Sequence, residues 1–217
     1  MTESIAGYAQ EAPGLLKAYE AVSVEDVHRP VWHLIPAPPA RLLDIGAGTG
    51  RDAAHFAAMG HQVVAVEPVD ELREGAKTLH PSPLIEWLKD GLPALAEVRA
   101  RGEAFDAVLA TAVWMHLDQA ERIEAMPAVA SLVRPGGVLI LSLRHGPIPP
   151  GRRMFDVSAE ETVALATREG LRCVVNTVTD SVQAGKPGVT WSRLAFKRVV
   201  PSEGSLRPRK DPSLRSG

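Results

Sequence analysis

Three glycines at alternate positions, Gly46, Gly48 and Gly50, follow an apolar segment at residues 41–45. Glycine adopts positive φ without strain and lets a ligand approach the bare backbone. A strand that enters such a turn and leaves it as a helix is a recurring cradle for nucleotides. Glu67 follows the next apolar segment roughly 20 residues after Gly46, where a carboxylate meets ribose hydroxyls in such folds. The pattern therefore predicts a site that binds a nucleoside against main-chain atoms.

The spacing of these glycines distinguishes two cofactors. Dinucleotide-binding turns follow G-x-G-x-x-G, whereas here Arg51 occupies the third glycine position and Gly50 comes one residue too early. The pattern D-x-G-x-G-x-G that begins at Asp44 resembles motif I of the class I S-adenosylmethionine-dependent methyltransferases. Ala47 stands where many members have cysteine, which is a small departure because the backbone makes the contacts. The resemblance covers residues 40–200 and implies S-adenosylmethionine as the cofactor.

The resemblance also implies roles for individual residues. Glu67 would bind both ribose hydroxyls, Pro68 would line the adenine pocket, and Asp90 would accept from the adenine amino group. Asp90 also begins an Asp-Gly pair, which is typical of a simple turn, so both interpretations stay open. Asp44 lies in an apolar strand and needs a partner, for which we expect the loop backbone. The implied cofactor-binding residues are Asp44, Gly46, Ala47, Gly48, Gly50, Glu67, Pro68, Asp90, Gly91, Leu92, Ala110 and Thr111.

Methyl transfer requires an acceptor aligned with the donor, and a base only where the acceptor carries a proton. His116 follows the fourth predicted strand, at residues 105–110, and is the candidate base, although a packed or capping histidine fits the same position. Trp114 is expected either to line the substrate pocket or to fill the core. Tyr8 and Tyr19 lie on a predicted helical cover, where they either close over the bound molecules or simply pack.

The nature of the acceptor is suggested only by a group of arginines. Arg144 follows the fifth predicted strand, at residues 138–143, with Arg152 and Arg153 shortly after it. Such a group suits an acidic acceptor, and a solvated loop is the alternative. The segment 110–113 lacks the Asn/Asp-Pro-Pro-aromatic run of DNA amino-methyltransferases, so we expect a small-molecule acceptor and no DNA. Two alternatives stay open: a protein that binds the cofactor without turnover, and a nicotinamide-dependent oxidoreductase.

Strand and helix signals alternate along the chain, which is typical of a parallel sheet with helical crossovers. We expect a Rossmann-like, doubly wound α/β fold with seven strands and helices on both faces. The sheet should be mostly parallel and end in an antiparallel hairpin formed by 171–179 and 189–200. Helices are predicted at 3–35, 51–59, 70–79, 92–101, 118–133 and 158–170, the last two with capping boxes, and residues 134–137 are predicted to form a turn.

Composition and length are those of one ordinary globular domain. The 217 residues contain 45% hydrophobic and 23% charged residues, with a formal net charge of -2, which gives no reason to expect nucleic acid or membrane partners. A single cysteine and no cluster of ligating residues predict no metal site. We expect an N-terminal helical cover at 1–40, a cofactor-binding domain at 41–200 and a disordered tail at 201–217. A cytoplasmic location is the default expectation, and the sequence does not indicate an oligomeric state.

Overall fold

The computed structural model describes residues 8–149, 151–182 and 188–200. The strands are β1 (Arg41–Ile45), β2 (Gln62–Val66), β3 (Ile85–Leu88), β4 (Phe105–Ala110), β5 (Val133–His145), β6 (Leu171–Asp180) and β7 (Thr190–Arg198). The helices are α1 (Tyr8–Glu20), α2 (Val24–His28), α3 (Arg51–Ala58), α4 (Asp70–Leu79), α5 (Ala96–Ala100), α6 (Gln119–Leu132) and α7 (Ala159–Arg168). The strands form one sheet in the order β3-β2-β1-β4-β5-β7-β6. β1 to β5 are parallel, and β7 is antiparallel to both β5 and β6, so the predicted C-terminal hairpin is confirmed.

Helices cover both faces of this sheet. Leu43 of β1 packs on one face in a core shared with Met126 of α6. Leu42 packs on the other face in a second core shared with Phe56 of α3. Successive side chains of a strand point to opposite faces, and both faces are buried here, which is why residues 42–45 of β1 are apolar except for Asp44. The doubly wound architecture is therefore confirmed.

The strand order places a crevice at the carboxyl end of β1. β1 pairs with β2 on one side and with β4 on the other, so the chain changes direction across the sheet at this point. Open α/β sheets bind ligands beyond the carboxyl ends of the strands at such a switch point. The glycine turn after β1 and the loop after β4 meet there, since a Cβ built on Gly46 would lie 2.3 Å from Cγ1 of Val113.

The prediction of a turn at 134–137 is wrong, because this segment lies inside β5. Val133 pairs with Phe105 of β4, and Val138 then pairs with Ala107. Five residues of β5 therefore advance the register by only two positions on β4, which is a bulge rather than a turn between elements. The glycines in the bulge accommodate the bend, and the strand continues through it.

Of the two predicted capping boxes, only the first forms completely. Asp118 accepts from the N–H of Glu121 and the Glu121 carboxylate accepts from the N–H of Asp118, as predicted for the start of α6. Ser158 accepts from the N–H of Glu161 at the start of α7, but the Glu161 carboxylate binds Arg122 instead. A buried arginine competes better for that carboxylate than a single backbone N–H, because the bond is between two charges.

The N-terminal and fifth helices are shorter than predicted. Of the segment 3–35 that was predicted to be largely helical, the described residues 8–35 form α1, α2 and a 3-10 turn at Trp32–Leu34. The helix predicted at 92–101 is reduced to α5, because Leu95 takes a left-handed conformation with φ of 47° immediately before it. Residues 1–7 and the tail predicted at 201–217 lie outside the described residues. In the described part of the chain, no helix is both long and apolar enough to span a membrane.

Candidate functional site

The three glycines of the turn have different neighbours. A Cβ on Gly46 would clash with Val113, and a Cβ on Gly50 would lie 2.7 Å from Cη2 of Trp87. These two glycines are therefore needed for packing. A Cβ on Gly48 would meet nothing nearer than the carbonyl oxygen of Gly46, at 3.9 Å. Gly48 thus presents bare main chain toward open space, which is the property a ligand-binding turn requires.

The carboxylate of Glu67 is fixed against this turn. Its Oε2 accepts from the N–H of Gly48 and its Oε1 accepts from the N–H of Val69, each at 2.9 Å. The residue is only 5% exposed, and burial raises the pKa of its carboxyl group while the two N–H donors act in the opposite direction. Each carboxylate oxygen has two lone pairs, so each can accept one further hydroxyl. Glu67 therefore combines a structural bond to the turn with remaining acceptor capacity.

Asp44 provides a test of whether the turn suits a ligand. The side chain is buried, and its Oδ2 has no hydrogen-bond partner among the described residues. Burial and then the Asp52 carboxylate raise the pKa of Asp44, while the backbone N–H of Ala53 in α3 lowers it. The expectation that the glycine loop supplies its partner is therefore wrong. A buried oxygen without a donor beside the turn fits a ligand that brings a donor there.

Both carboxylate oxygens of Asp90 accept from backbone N–H groups. Its Oδ1 accepts from the N–H of Gly91 at 2.8 Å, and its Oδ2 accepts from the N–H of Val98 in α5 at 3.0 Å. A Cβ on Gly91 would lie 3.4 Å from the ring of Pro68. The segment 90–92 and Pro68 are thus brought together beyond the carboxyl ends of β2 and β3. This arrangement accounts for Asp90 structurally, and its contact with adenine stays a prediction.

The C-terminal end of α1 lies over the glycine turn. Thr49 donates through its hydroxyl to Oε1 of Glu20 at 2.6 Å, and the guanidinium of Arg51 reaches the carbonyl oxygen of Tyr19 at 3.4 Å. The Glu20 carboxylate also lies 3.2 Å from Nε2 of His80. These contacts place α1 as a cover on the turn, in the position expected for the N-terminal helical segment.

His116 and Tyr8 form a hydrogen-bonded pair under this cover. Nδ1 of His116 lies 2.8 Å from the carbonyl oxygen of Arg153, and a carbonyl only accepts, so Nδ1 carries the proton. Nε2 then accepts from the hydroxyl of Tyr8 at 3.1 Å. Burial lowers the pKa of His116 and raises the pKa of Tyr8. The structure therefore places a neutral imidazole with its lone pair toward α1.

The remaining residues that were predicted to contact the acceptor, Trp114 and the arginines, do not all form one cluster with His116 and Tyr8. Trp114 is fully buried in the core on the α6 face, which agrees with its core interpretation, and a place in the substrate pocket stays a prediction. Arg152 binds Glu11 and lies 3.8 Å over the ring of Tyr8. Arg153 binds Asp118 and Glu121. Arg144 is half-buried, and its guanidinium reaches only the carbonyl oxygen of Gly146, at 3.5 Å. Within the described residues Arg144 has no carboxylate at ion-pair distance.

Sequence reasoning missed a buried ion pair beneath the turn. Asp52, at the start of α3, accepts from Nε2 of His28 at 2.7 Å and from Nε of Arg51 at 2.8 Å. His28 ends α2, so this pair joins α2 to α3. These partners hold the pKa of Asp52 below its usual range despite burial. The only available signal was a histidine that follows two apolar positions of a short helix.

Ala110 ends β4, and Thr111 follows it beside the glycine turn. Ala110 is fully buried, whereas Thr111 is half-buried and lines a small cavity together with His28, Ser142 and Arg193. Ser142 accepts through its hydroxyl oxygen from the N–H of Ala112 at 2.9 Å, which fixes the loop after β4. In the described ranges of the chain, no group of three or more ligating side chains is arranged to bind a metal ion.

Known proteins related in sequence are methyltransferases. A methyltransferase-domain family matches residues 43–141. An uncharacterized methyltransferase of Mycobacterium bovis is 35% identical over 106 residues, which cover 49% of this chain and 40% of that protein. Glycine N-methyltransferase of Rattus norvegicus is 28% identical over 186 residues, which cover 72% of this chain and 63% of the relative. This chain therefore spans less than two thirds of the length of either relative.

The fold is also that of a known methyltransferase. It is similar to the crystal structure of 1,6-didemethyltoxoflavin-N1-methyltransferase of Burkholderia thailandensis, with a TM-score of 0.62 and 20% identity. The match covers 92% of this chain and 91% of that one, and that structure contains 1,6-didemethyltoxoflavin and S-adenosylhomocysteine. At this identity the likeness concerns the fold alone. Together with the domain match over residues 43–141, the seven-stranded sheet makes this chain similar to the class I S-adenosylmethionine-dependent methyltransferases.

Proposed function

We propose that this chain transfers the methyl group of S-adenosylmethionine to a small-molecule acceptor. The observation that carries the proposal is the carboxylate of Glu67, which is bonded to the bare main chain of Gly48 at the switch point of the sheet. The relatives support a small acceptor, because one is a glycine N-methyltransferase and a structural neighbour methylates 1,6-didemethyltoxoflavin.

The residues that would hold the cofactor belong to three adjoining segments. The main chain of Gly46–Gly50 would support it, Glu67 would accept from the ribose hydroxyls, and Asp44 would receive a donor at its unpaired oxygen. Pro68 and the segment 90–92 would enclose the adenine. When bound, the cofactor supplies a methyl group on a sulfonium, which is already electrophilic. The protein then has to align the acceptor and exclude water, which is the task of the α1 cover.

A protonated acceptor would also need a base, and we propose His116 for this role. Its Nε2 carries a lone pair, and burial keeps the imidazole neutral by lowering its pKa. The hydroxyl of Tyr8 occupies that lone pair, so the acceptor would have to replace Tyr8 as the donor. The hydrogen bond from Nδ1 to Arg153 holds the ring in the tautomer that leaves Nε2 free to take a proton.

The experiment compares Glu67→Gln with Glu71→Gln, a matched change at an exposed position of α4. Binding of S-adenosylhomocysteine is measured by calorimetry. We expect the Glu67→Gln variant to bind at least tenfold more weakly, about 1.4 kcal/mol, because an amide cannot accept at both of its ends. The Glu71→Gln variant should match the natural chain. Equal binding by both variants would contradict the proposed site.

Turnover separates a transferase from a protein that only binds the cofactor. The natural chain is incubated with methyl-labelled cofactor and a small-molecule extract, and label in organic products is measured. We expect the natural chain and the Glu71→Gln variant to label at least one product, with a clear loss in the Glu67→Gln variant. Cofactor binding without any labelled product would favour the non-catalytic alternative. Tight NAD binding in the absence of S-adenosylhomocysteine binding would favour the oxidoreductase.

A further inference from the structure

Arg152, in the connection between β5 and α7, is a buried cation with an unused donor. Only 8% of its side chain is exposed, and its guanidinium lies 3.8 Å over the ring of Tyr8. Its Nη2 binds the carboxylate of Glu11. Its Nη1 is buried and has no hydrogen-bond partner among the described residues. An unpaired guanidinium donor is costly to bury, so this position fits a molecule that brings an acceptor to Nη1.

The other two arginines that were predicted to suit an acidic acceptor are held differently. Arg153 binds the two carboxylates of the α6 capping box. Arg144 donates to the carbonyl oxygen of Gly146 in a solvent-exposed bond, where water can satisfy the rest of its guanidinium. Arg152 combines burial with an unpaired donor, so it is the arginine whose surroundings indicate a ligand.

Arg152 lies within the span of one phenol ring of the proposed base. The hydroxyl of Tyr8 donates to Nε2 of His116, while the ring of the same Tyr8 lies against Arg152. Nδ1 of His116 is bonded to the carbonyl oxygen of Arg153, the next residue along the chain, which fixes the connection against the base. Burial chiefly, and the Glu67 carboxylate to a smaller extent, raise the pKa of Tyr8, which places its ring near the proposed ribose site. An acceptor whose reacting atom reaches Nε2 would therefore have its next few atoms beside the guanidinium.

The two residues that fill these positions belong to the first turn of α1. Tyr8 and Glu11 are three residues apart, a spacing that places their side chains next to each other on one face of the helix. Tyr8 presents a hydroxyl donor to the base, and Glu11 presents a carboxylate to the cation. The side chain of Glu11 is 54% exposed, so a solute can reach its position from solvent without a closed cavity. The first turn of α1 thus places a protonated hydroxyl and a carboxylate where a small acid would carry the same two groups.

We propose that Arg152 binds the carboxylate of the methyl acceptor, and that the first turn of α1 occupies this site until the acceptor displaces it. The inference rests on the proposed function, and it makes the acceptor a small acid whose methylated atom carries a proton. The two Nη atoms of a guanidinium form a fork that matches the two oxygens of a carboxylate, and Glu11 uses only Nη2. An acceptor that uses both nitrogens has the advantage over this half-exposed internal ion pair, which is weak.

The test uses benzoate as the probe and benzamide as its neutral counterpart. Each is titrated into the full chain saturated with S-adenosylhomocysteine, and binding is measured by calorimetry. Glu11→Gln and Arg152→Gln break the same ion pair from its two sides. Benzoate should bind the Glu11→Gln variant about two- to fivefold more tightly than the natural chain, the gain expected when a half-exposed competing carboxylate is removed. It should bind the Arg152→Gln variant at least tenfold more weakly, and benzamide should not distinguish the variants.

The opposite directions of the two changes separate a binding site from a purely structural contact. If the ion pair only anchors α1, its loss from either side should change the benzoate affinity in the same direction or not at all. Glu71→Gln on α4 and Arg172→Gln on β6 are the matched controls, because both residues are exposed, and both variants should bind benzoate as the natural chain does. Changes in the same direction, equal binding of benzoate and benzamide, or no binding of benzoate to any variant would overturn the proposal.

Binding of S-adenosylhomocysteine distinguishes failure of this inference from failure of the proposed function. If the natural chain does not bind S-adenosylhomocysteine, the proposed function fails. If it does, and Arg152→Gln leaves the benzoate affinity unchanged, only the carboxylate site fails. Methylthioadenosine, which lacks the amino-acid end of the cofactor, is titrated in parallel. A loss of affinity in Arg152→Gln for S-adenosylhomocysteine but not for methylthioadenosine would assign Arg152 to the carboxylate of the cofactor and overturn its assignment to the acceptor.

Discussion

Alanine at Gly48 separates the ligand-binding role of the glycine turn from its conformational role. Gly48 has a φ of 58°, and Gly102, which follows α5, has a φ of 66°. A Cβ on Gly48 would meet no atom nearer than 3.9 Å, and a Cβ on Gly102 would meet none within 4 Å. Neither substitution therefore creates a clash in the folded chain. Gly102 precedes β4 and so lies at the amino end of the sheet, away from the proposed site.

The stability change should be the same in both variants. A left-handed backbone costs an alanine roughly 1–2 kcal/mol, since its Cβ approaches the following carbonyl oxygen. For a chain of this length, 1 kcal/mol lowers Tm by about 2–4 °C. Each variant should therefore melt about 2–8 °C below the natural chain. Differential scanning calorimetry measures this effect directly.

Ligand binding should distinguish the two variants. The new methyl group of Gly48→Ala would stand on the open face of the turn, where the cofactor is proposed to lie. We expect its affinity for S-adenosylhomocysteine to fall at least tenfold, about 1.4 kcal/mol, with no change in Gly102→Ala. Equal affinity of the two variants for S-adenosylhomocysteine would show that the cofactor does not contact the turn at Gly48. Gly46→Ala is no substitute in this experiment, because its Cβ would lie 2.3 Å from Val113 and disturb the fold.

Two further predictions concern titratable groups. Asp52→Asn should lower the free energy of unfolding by about 3–5 kcal/mol in urea denaturation at pH 7, because it takes the carboxylate partner away from the buried His28 and from Arg51. The depressed pKa of Asp52 adds stability above its unfolded value of about 3.9, and this is lost as pH falls through the folded value; the asparagine variant should lack that acid dependence. Burial lowers the pKa of His116, so the acidic limb of kcat/KM should lie below about pH 6.5 and disappear in His116→Gln. Tyr8→Phe removes a donor to the neutral imidazole and should move that limb to higher pH; an unmoved limb would exclude His116 as the base.

The parts of the site that depend on the backbone were predictable from sequence. A turn that needs positive φ and bare main chain can be built only with glycine, so the requirement appears directly in residue types at 46–50. The position of Glu67 is equally constrained, because β1 and β2 are adjacent and in register, and the acid must follow the second strand. The Asp118 capping box was predictable for the same reason, since its bonds are local.

Contacts set by the packing of distant elements left no such signal. Arg193 meets Ser142 because of the antiparallel register of β5 and β7, and a shift of one residue would reverse its face. Asp52 meets His28 because α2 packs on α3. The bulge in β5 is defined by its pairing with β4, which the sequence does not reveal. The residues at 134–137 therefore resemble those of an ordinary turn. Each of these features requires knowledge of which elements are neighbours.

Two of the charged groups that the fold buries are incompletely satisfied, and both lie at the same edge of the sheet. Asp44, the last residue but one of β1, has a buried oxygen with no described partner, and Arg193, beside the end of β4, has no carboxylate at ion-pair distance among the described residues. The charges of a carboxylate and a guanidinium are opposite in sign, but Asp44 and Arg193 do not compensate each other. Asp52 and Arg51 act on both groups, and their own charges neutralise each other. A chain selected only for stability would replace or pair such residues. The position of these two groups at the ligand-binding edge is the pattern expected when binding, rather than folding, retains them.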